Sequence, residues 1–399
     1  MEMSELRALL TTEGLSLLEG SGPIESTTDV ARAVSRLRAA GHPPELVSAV
    51  VGQTRLRARA AAKFGEFARR MLFTKAGLEQ ATRLSVAARH AQRLRSAGIG
   101  TVADLGCGIG GDALAFAGAG LGVVAVDADE VTAAIAAYNL APFGDDVSVR
   151  HGTAEETDLA GVDAIWMDPA RRTSGHGETR RVDPADYSPS LDWVFDAASR
   201  IPAGIKLGPG HDRDAIPADA EAQWVSADGS VVELVLWTGV LAREGVRRAA
   251  LVIKGDRSFE LTAGADAADA PVRELGTYLH EPDGAVIRAR LIGDAARGLE
   301  AGMLDEHIAY LTSDAALTSP FVQSFRVRET MPANPKAISA ILRANGIGTL
   351  EIKKRGMDID PAAFRKKLTL RGENAATLFL TRIGDRRIAI LADRVHAAA

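Results

Sequence analysis

The chain contains 399 residues, of which 46% are hydrophobic and 25% charged, and its formal net charge is −5 at pH 7. This length is sufficient for two or three domains with cores of their own. No apolar run approaches the ~20 residues of a membrane span, and the N-terminal residues do not have the layout of a signal peptide. The single cysteine, Cys107, excludes an intrachain disulfide framework, and eight scattered histidines without a CxxC pattern predict no metal site. We therefore expect a cytoplasmic protein with no membrane partner.

The charge is distributed unevenly along the chain. Residues 31–95 contain 14 basic and 3 acidic side chains, and residues 326–371 contain 11 basic and 4 acidic ones. Two basic segments on an otherwise acidic chain favour binding of a polyanion, although solvated helix faces would give the same pattern.

Residues 1–98 are predicted to form a helical domain that carries the first basic segment. The predicted helices are Ser4–Leu10, Glu13–Leu18, Thr28–Ala39, Pro44–Val51 and Thr54–Met71. The stretch Phe73–Leu94 follows, and its residues Leu84, Ala87, Ala88 and Ala91 share one helical face.

The stretch from Thr101 to Asp112, TVADLGCGIGGD, has the pattern of a strand, a glycine turn and a helix start. The strand ends at Asp104, and Gly106, Gly108 and Gly110 form the turn. Such a turn places backbone N–H groups and the positive end of a helix dipole against a ligand. Glycine is required there because a Cβ would hold the ligand away from the backbone. Gly106, Gly108 and Gly111 also satisfy the dinucleotide fingerprint G-x-G-x-x-G, so this motif alone is ambiguous.

Two further strand ends bear on that ambiguity. Val123–Val126 is a buried strand that ends at Asp127, about 20 residues on, where an acid can hold ribose hydroxyls in either type of nucleotide site. Ala164–Met167 leads into Asp168 and Pro169, which present carboxylate and carbonyl acceptors together. An amine held by such acceptors directs its lone pair at one place, which favours a methyl acceptor over a hydride acceptor.

These motifs resemble those of class I S-adenosylmethionine-dependent methyltransferases: DLGCGIGG, VAVDAD, HGTAEE and DPAR look like their first to fourth motifs. The resemblance implies an α/β fold with a seven-stranded Rossmann-like sheet and S-adenosyl-L-methionine as cofactor. It implies a cofactor site formed by Asp104, Gly106, Gly108, Gly110, Asp127, Ala128, Thr153, Ala154 and Glu155. It assigns the catalytic site to Asp168, Pro169 and Arg171. It also makes Lys75, Gln80 and Thr82 candidates for a segment that closes over the methionine end of the cofactor.

Residues 99–240 are predicted to form the methyltransferase domain. Strands Val147–Arg150 and Gly204–Leu207 continue the parallel sheet, and Lys206 faces the site in this topology. Strands Ala222–Ser226 and Ser230–Trp237 are joined by Asp228-Gly229, which predicts a hairpin with a type I′ turn. An antiparallel hairpin that finishes a parallel sheet is typical of class I methyltransferases, and a dinucleotide-binding fold does not call for it.

Residues 241–399 are predicted to form an α+β module. A strand pair, Arg248–Lys254 with Ser258–Thr262, could extend the sheet edge, and Pro282–Leu299 is predicted as one helix. The following elements are predicted as strand Gln323–Glu329, helix Lys336–Ala344, strand Leu350–Lys354, helix Pro361–Leu370, and strands Thr377–Ile383 and Arg387–Leu391. Through FRVRETMPANPKAI, LEIKKRG and LFLTR, this part resembles actinobacterial methyltransferases with a THUMP-like domain. THUMP domains are RNA-binding modules of tRNA-modifying enzymes, so the resemblance implies an RNA partner.

The fourth motif departs from the aromatic-ended (D/N)PP(Y/F) of many amine N-methyltransferases. Arg171 occupies the place of the aromatic ring, where its guanidinium could stack on a base or hold a phosphate. Three functions remain open on the sequence. The first is methylation of a base nitrogen in RNA (tRNA or rRNA), the second is methylation of a small molecule or protein, and the third is a non-catalytic S-adenosylmethionine- and RNA-binding module.

Overall fold

The fold is known from a computed structural model that describes residues 1–171 and 187–395, except for the side chain of Arg171. By compactness the chain divides into two units. The first comprises Met1–Leu207 and Val235–Arg243, and the second comprises Gly208–Leu234 and Glu244–Ala399.

Six helices precede the first strand. They are α1 (Met3–Leu9), α2 (Thr12–Glu19), α3 (Thr27–Ala39), α4 (Pro44–Phe64), α5 (Lys75–Gln80) and α6 (Leu84–Ser96). A side-chain cap defines the start of α3, where Ser26 and Asp29 form a capping box. The prediction of two helices between Pro44 and Met71 is wrong. Helix α4 runs through Gly52, and a 3₁₀ turn, Gly65–Arg69, follows it.

The continuity of α4 has a packing cause. Glycine inside a helix costs about 1 kcal/mol relative to alanine. Val50, Val51 and Gln53 are buried around it, and their burial outweighs that cost. The residues predicted to share one helical face, Leu84, Ala87, Ala88 and Ala91, all lie in α6. Ala81 has ψ of 137° and separates α5 from α6.

The α/β fold class is confirmed, and the large sheet contains nine strands where the sequence predicted seven. Its strands are β1 (Thr101–Leu105), β2 (Gly122–Asp127), β3 (Val147–His151), β4 (Ala164–Met167), β7 (Ala203–Leu207), β8 (Glu221–Ala227), β9 (Ser230–Trp237), β10 (Arg248–Lys254) and β11 (Arg257–Ala263). A separate short pair joins β5 (Ala170–Arg171) to β6 (Tyr187–Ser188). The helices between the strands are α7 (Gly111–Gly118), α8 (Glu130–Leu140) and α9 (Leu191–Arg200).

The strand order is β11-β10-β8-β9-β7-β4-β1-β2-β3. The two additional strands are β10, which pairs with β8 in parallel, and β11, which pairs with β10 antiparallel. Insertion of β9 between β7 and β8 distinguishes this sheet from a dinucleotide-binding sheet, in which the sixth strand follows the fifth directly. The predicted hairpin is confirmed, because β8 and β9 are adjacent and Asp228 and Gly229 have φ of 50° and 82°, as a type I′ turn requires.

The second unit contains a seven-stranded sheet in the order β13-β14-β12-β15-β18-β17-β16. Its elements are β12 (Tyr278–Pro282), α10 (Gly284–Arg288), α11 (Ile292–Arg297), β13 (Gly302–Asp305), β14 (Ile308–Ser313), β15 (Val322–Pro332), α12 (Pro335–Ala344), β16 (Ile347–Lys354), α13 (Pro361–Arg365), β17 (Asn374–Ile383) and β18 (Arg386–Arg394). The predicted helix Pro282–Leu299 is wrong, since Arg290 adopts φ of 59° and splits it into α10 and α11.

Each face of this smaller sheet has its own apolar core. On one face, Ile338 and Leu342 of α12 and Phe364 of α13 pack against the strands. On the other, Tyr310, Phe325 and Phe379 form the centre of a second cluster. Among residues 1–171 and 187–395, no helix is both long and apolar enough to cross a membrane.

Candidate active site

The carboxyl ends of the central strands bring three of the predicted acidic residues to one edge of the large sheet. Strand β1 pairs in parallel with β2 and with β4, and Leu105 lies opposite both Val126 and Met167. Asp104 therefore lies at the end of β1, Asp127 at the end of β2, and Asp168 directly after β4. The chain builds outward from β1 to β2 and β3 and then returns to β4 on the other side. Ligands of open α/β sheets bind at such a reversal of strand order.

The glycine turn lies between β1 and α7. The N–H groups of Gly106 and Cys107 donate to the Val126 carbonyl at 2.8 and 2.9 Å, which fixes the turn against β2. Gly108 has φ of 56°, and a Cβ built on it would meet no atom within 4 Å. A glycine is therefore favoured at this position by its positive φ and by the open space that it leaves for a ligand. Crowding by the protein is not the reason.

Asp104 is the most deeply buried acid of the site, with 2% of its surface exposed. Its Oδ2 atom has no hydrogen-bond partner among the described residues. Burial raises the pKa of this carboxyl well above its ordinary value, and the neighbouring negative charges of Asp112 and Asp168 raise it further. A buried acceptor without a donor is costly unless a ligand supplies one. The ammonium group of S-adenosylmethionine is a donor of the required charge, so the residues present fit this cofactor.

Asp127 joins the glycine turn to the second strand. Its Oδ2 accepts the Gly108 N–H at 2.9 Å, and its Oδ1 accepts the Asp129 N–H at 2.9 Å. Each carboxylate oxygen can accept a second hydrogen bond, so both can still receive ligand hydroxyls. Burial raises the pKa of Asp127, although the two backbone hydrogen bonds oppose this shift.

The predicted adenine-binding residues follow β3, the neighbour of β2. Thr153 is half-buried and donates its hydroxyl hydrogen bond to Glu156 at 2.9 Å. Ala154 is buried, whereas Glu155 and Ala128 are exposed. Ala128 lies directly after β2, and its carbonyl is 3.1 Å from the Nε2 atom of His151. These residues therefore lie next to Asp127 along the same edge.

Asp168 forms an ion pair with Lys206 of β7. Met167 lies opposite Ile205 in the sheet, so the next residue of each strand, Asp168 and Lys206, are neighbours. The Asp168 side chain is 37% exposed and that of Lys206 is 13% exposed, which leaves the carboxylate accessible from one side. Pro169 is buried after it. The side chain of the third predicted catalytic residue, Arg171, and residues 172–186 lie outside the described part of the structure.

A buried hydrogen-bonded chain supports this ion pair from beneath. Lys206 donates to the Thr82 hydroxyl at 3.0 Å, and Thr82 donates to Asp112 Oδ2 at 2.7 Å. Asp112 Oδ1 is 2.9 Å from Nδ1 of His90, whose ring packs against Trp166 with centroids 4.4 Å apart and an angle of 33° between the ring planes. Of the three predicted closing residues, Thr82 belongs to this chain, whereas Lys75 and Gln80 are exposed on α5. His90 and Asp112 were not predicted from the sequence.

The charge state of Asp112 follows from its partners. Burial alone would raise the pKa of this carboxyl. The hydrogen bond and charge of His90, with the charge of Lys206, outweigh burial and lower the pKa below its ordinary value. The Asp112 carboxylate is therefore a fixed anion beneath Lys206. In the sequence, Asp112 is visible only as an acidic residue in the first turn of α7. The helix dipole alone usually explains an acidic residue there, so the sequence did not mark Asp112 as part of the site.

Neither metal nor thiol chemistry is indicated in the part of the chain that the structure describes. There, no group of three or more His, Cys, Asp or Glu side chains could hold a metal ion. Burial raises the pKa of the Cys107 thiol well above its ordinary value, and the negative charges of Asp104 and Asp127 act in the same direction. A thiol that resists ionisation is a poor nucleophile.

The strand order, the glycine turn and the three acids at the strand ends define the class of protein as a class I S-adenosylmethionine-dependent methyltransferase. Comparison with known sequences agrees. Two Mycobacterium tuberculosis proteins, from strains CDC 1551/Oshkosh and ATCC 25618/H37Rv, are both named uncharacterized S-adenosylmethionine-dependent methyltransferases. Each is 34% identical over 352 residues, which cover 84% of this chain and 92% of the relative. The chain belongs to this family of S-adenosylmethionine-dependent methyltransferases.

Two family models match the terminal parts of the chain, and a solved structure matches nearly all of it. Residues 322–394 match a family described as THUMP domain-like, and residues 2–60 match a domain of unknown function (DUF8688). The crystal structure of a proposed methyltransferase from Porphyromonas gingivalis W83 superposes with a TM-score of 0.73. It covers 94% of this chain and 100% of the other at 19% identity, a level that shows the shared fold.

Proposed function

We propose that this methyltransferase methylates a base nitrogen of RNA, with tRNA or rRNA as the substrate, in the cytoplasm. The cofactor supplies an electrophilic methyl group on a sulfonium sulfur. The chain must therefore hold the acceptor nitrogen in line with that group and exclude water. The observation that carries the RNA assignment is a set of exposed cations in residues 322–394 that have no carboxylate partner among the described residues.

The cofactor-binding role falls to the edge formed by β1, β2 and β3. Asp104 would accept from the ammonium group through its unpartnered oxygen. Gly106, Gly108 and Gly110 would allow the backbone to approach the cofactor closely. Asp127 would accept from the ribose hydroxyls. The adenine ring would lie at the residues that follow the second and third strands, namely Ala128, Thr153, Ala154 and Glu155.

The acceptor-binding role falls to Asp168, with Pro169 and Arg171. The Asp168 carboxylate and the Pro169 carbonyl would accept N–H hydrogen bonds from the base and so direct its lone pair toward the methyl group. Lys206 is a positioning residue, since its ion pair fixes the orientation of the Asp168 carboxylate. Lys206 is itself held by Thr82 and, through Thr82, by Asp112 and His90. Arg171 would stack on the base or contact a phosphate.

The cations of the THUMP-like residues 322–394 fall into two groups. Five cations on the strands form ion pairs with carboxylates of the second unit: Arg328, Lys353, Arg355, Arg382 and Arg394. Among the described residues, no carboxylate lies within 4.0 Å of the other exposed cations. Six of these belong to α12, α13 and the residues that follow α13: Lys336, Arg343, Arg365, Lys366, Lys367 and Arg371. Four lie on the strands: Arg326, Lys354, Arg386 and Arg387. The second basic segment therefore presents most of its uncompensated charge on and after α12 and α13, where phosphates could bind.

The first basic segment, residues 31–95, offers fewer cations for RNA binding than its charge count suggests, because some of them bind the protein's own backbone. Lys63 donates to the carbonyls of Leu78, Glu79 and Ala81 at 2.8 Å each, and thereby holds the segment before Thr82. Arg57 donates to the Met71 carbonyl at 2.9 Å. The remaining exposed arginines of 31–95 are the proposed second RNA contact. In this proposal, residues 1–98 and 241–399 dock RNA and residues 99–240 perform methyl transfer.

The test is RNA binding by charge variants of the full chain, measured by filter retention at several salt concentrations. Replacing Lys336, Lys366 and Lys367 by glutamine should weaken binding and reduce the slope of log affinity against log salt by about 2, at roughly 0.7 per phosphate contact for single strands. The matched variant carries arginine at the same three positions and should retain the slope. Wild-type binding with no salt dependence would contradict the proposal and favour a small-molecule or protein substrate.

A further inference from the structure

The second unit contains a cleft of about 750 Å³ that lies outside the THUMP-like residues 322–394. Separate segments converge on it: the turn around Pro209, the strands β8 and β9, the helices α10 and α11, and the β13–β14 turn. Ligand pockets in proteins have volumes of about 300–1,000 Å³. The cleft therefore has room for a molecule of nucleotide size.

The floor of the cleft is apolar and its rim is cationic. Val231, Ile287, Met303 and Ile308 are among the floor residues. The rim carries three arginines, Arg213, Arg288 and Arg290, and the latter two are exposed. An apolar floor next to fixed positive charges matches a molecule with one flat hydrophobic part and one anionic part.

The rim arginines have no ion-pair partner in the part of the chain that the structure describes. Among the described residues, no carboxylate lies within 4.0 Å of Arg213, Arg288 or Arg290, although Asp269 and Glu306 also line the cleft. By contrast, two arginines near the cleft residues in the chain form ion pairs: Arg297 of α11 with Asp294, and Arg273 with Asp314. Three uncompensated arginines therefore line the cleft, where they could bind an anion.

The backbone at Arg290 places this residue on the cleft. Arg290 has φ of 59°, a left-handed conformation that ends α10 and leads the chain into α11. Its neighbour Arg288 is oriented by donating Nη1 to the Pro209 carbonyl at 2.9 Å.

We propose that this cleft binds one nucleotide of a single-stranded RNA segment, with the base on the apolar floor and its phosphate at Arg288 and Arg290. This inference rests on the proposed function and names a second recognition point for the same substrate. Asp269 and Glu306 are acceptors for the N–H groups of a base edge, which explains acids beside a cationic rim. A guanidinium plane can also stack on a base.

The experiment measures binding of a fluorescent single-stranded hexanucleotide and of free nucleoside monophosphates to the full chain. Arg290→Gln should weaken hexanucleotide binding by about tenfold, the effect of losing one charge-assisted hydrogen bond at an exposed site. Arg288→Gln combined with Arg290→Gln should weaken it by about a hundredfold. Arg297→Gln is the matched control, because it removes a paired arginine of the adjacent helix, and it should change affinity less than twofold.

Two outcomes would overturn the inference. Hexanucleotide affinity that is equal in Arg290→Gln, in the double variant and in the wild type would exclude the cleft. Monophosphate binding that the rim variants abolish, without competition by the hexanucleotide, would assign the cleft to a free nucleotide and not to RNA.

A parallel assay of methyl transfer to total RNA separates this inference from the proposed function. Methylation by the wild type together with unchanged hexanucleotide binding by the rim variants would refute the cleft alone. Loss of hexanucleotide binding in these variants, together with no methylation of RNA by the wild type, would support the cleft and refute the proposed function.

Discussion

Replacement of Asp127 by alanine tests the proposed cofactor site with a single substitution. The carboxylate holds the Gly108 and Asp129 N–H groups at 2.9 Å each and is proposed to accept from the ribose hydroxyls. A hydrogen bond to a charged group contributes about 1.5–3 kcal/mol. Loss of the ribose contact should therefore weaken S-adenosylmethionine and S-adenosylhomocysteine by about 10- to 150-fold. Isothermal titration calorimetry measures both affinities directly.

Asp129→Ala is the matched control for this variant. Asp129 is also acidic and nearby, but its side chain accepts from the Thr132 N–H at 2.8 Å and caps α8. Its loss should cost about 1 kcal/mol of folding stability and leave cofactor affinity within twofold. Normal cofactor affinity in Asp127→Ala, with the thermal midpoint of unfolding recorded for both variants, would refute the placement of the ribose at β2.

The pH dependence of cofactor binding provides a second readout of the same residue. Because burial raises the pKa of Asp127, its protonation begins at a higher pH than for an ordinary aspartate. Protonation removes an acceptor for the ribose hydroxyls, so affinity should fall as the pH is lowered through this raised pKa. Asp127→Ala should lack this part of the dependence.

Further predictions concern the acceptor site, its buried support and the C-terminal sheet. Asp168→Ala should abolish methyl transfer with cofactor affinity near wild type, and Lys206→Met should lower kcat more than it raises KM, as steady-state kinetics will measure. Asp112→Ala should lower the free energy of unfolding by about 3 kcal/mol in denaturant titrations, because His90 and Thr82 lose a buried partner. Burial lowers the pKa of His280 from 6.5 to about 4, so between these pH values the unfolded chain binds the additional proton. Lowering the pH from 6.5 to 4 should therefore cost the wild type about 3 kcal/mol more stability than His280→Gln.

The structural features that the sequence predicted correctly depend on short sequence patterns. A strand, a glycine turn and an acid occupy a few consecutive residues, so the motif around Asp104 and the hairpin at Asp228 were visible without the fold. The end of β2 at Asp127 and the end of β4 before Asp168 were visible for the same reason. Parallel pairing then brings these strand ends to one edge.

The structural features that the sequence did not predict depend on packing between segments that are distant in the chain. His90 meets Asp112 only because α6 packs on α7, and at a separation of 22 positions the sequence gives no local sign of the contact. The break at Arg290 was missed because the apolar spacing of a helix continues across it, whereas the backbone there is left-handed. Charge counting likewise could not separate ion-paired cations, such as Arg328, from the cations of α12 and α13, which have no carboxylate within 4.0 Å among the described residues.

The central claim, RNA methylation that depends on Asp168, is tested most directly by mass spectrometry of nucleosides from total RNA. A strain that lacks the gene is compared with its parent and with strains complemented by the wild type or by Asp168→Ala. We expect one methylated nucleoside to disappear in the deletion strain, to return with the wild-type gene and to stay absent with Asp168→Ala. An unchanged nucleoside profile, accompanied by loss of a methylated protein or metabolite, would contradict it.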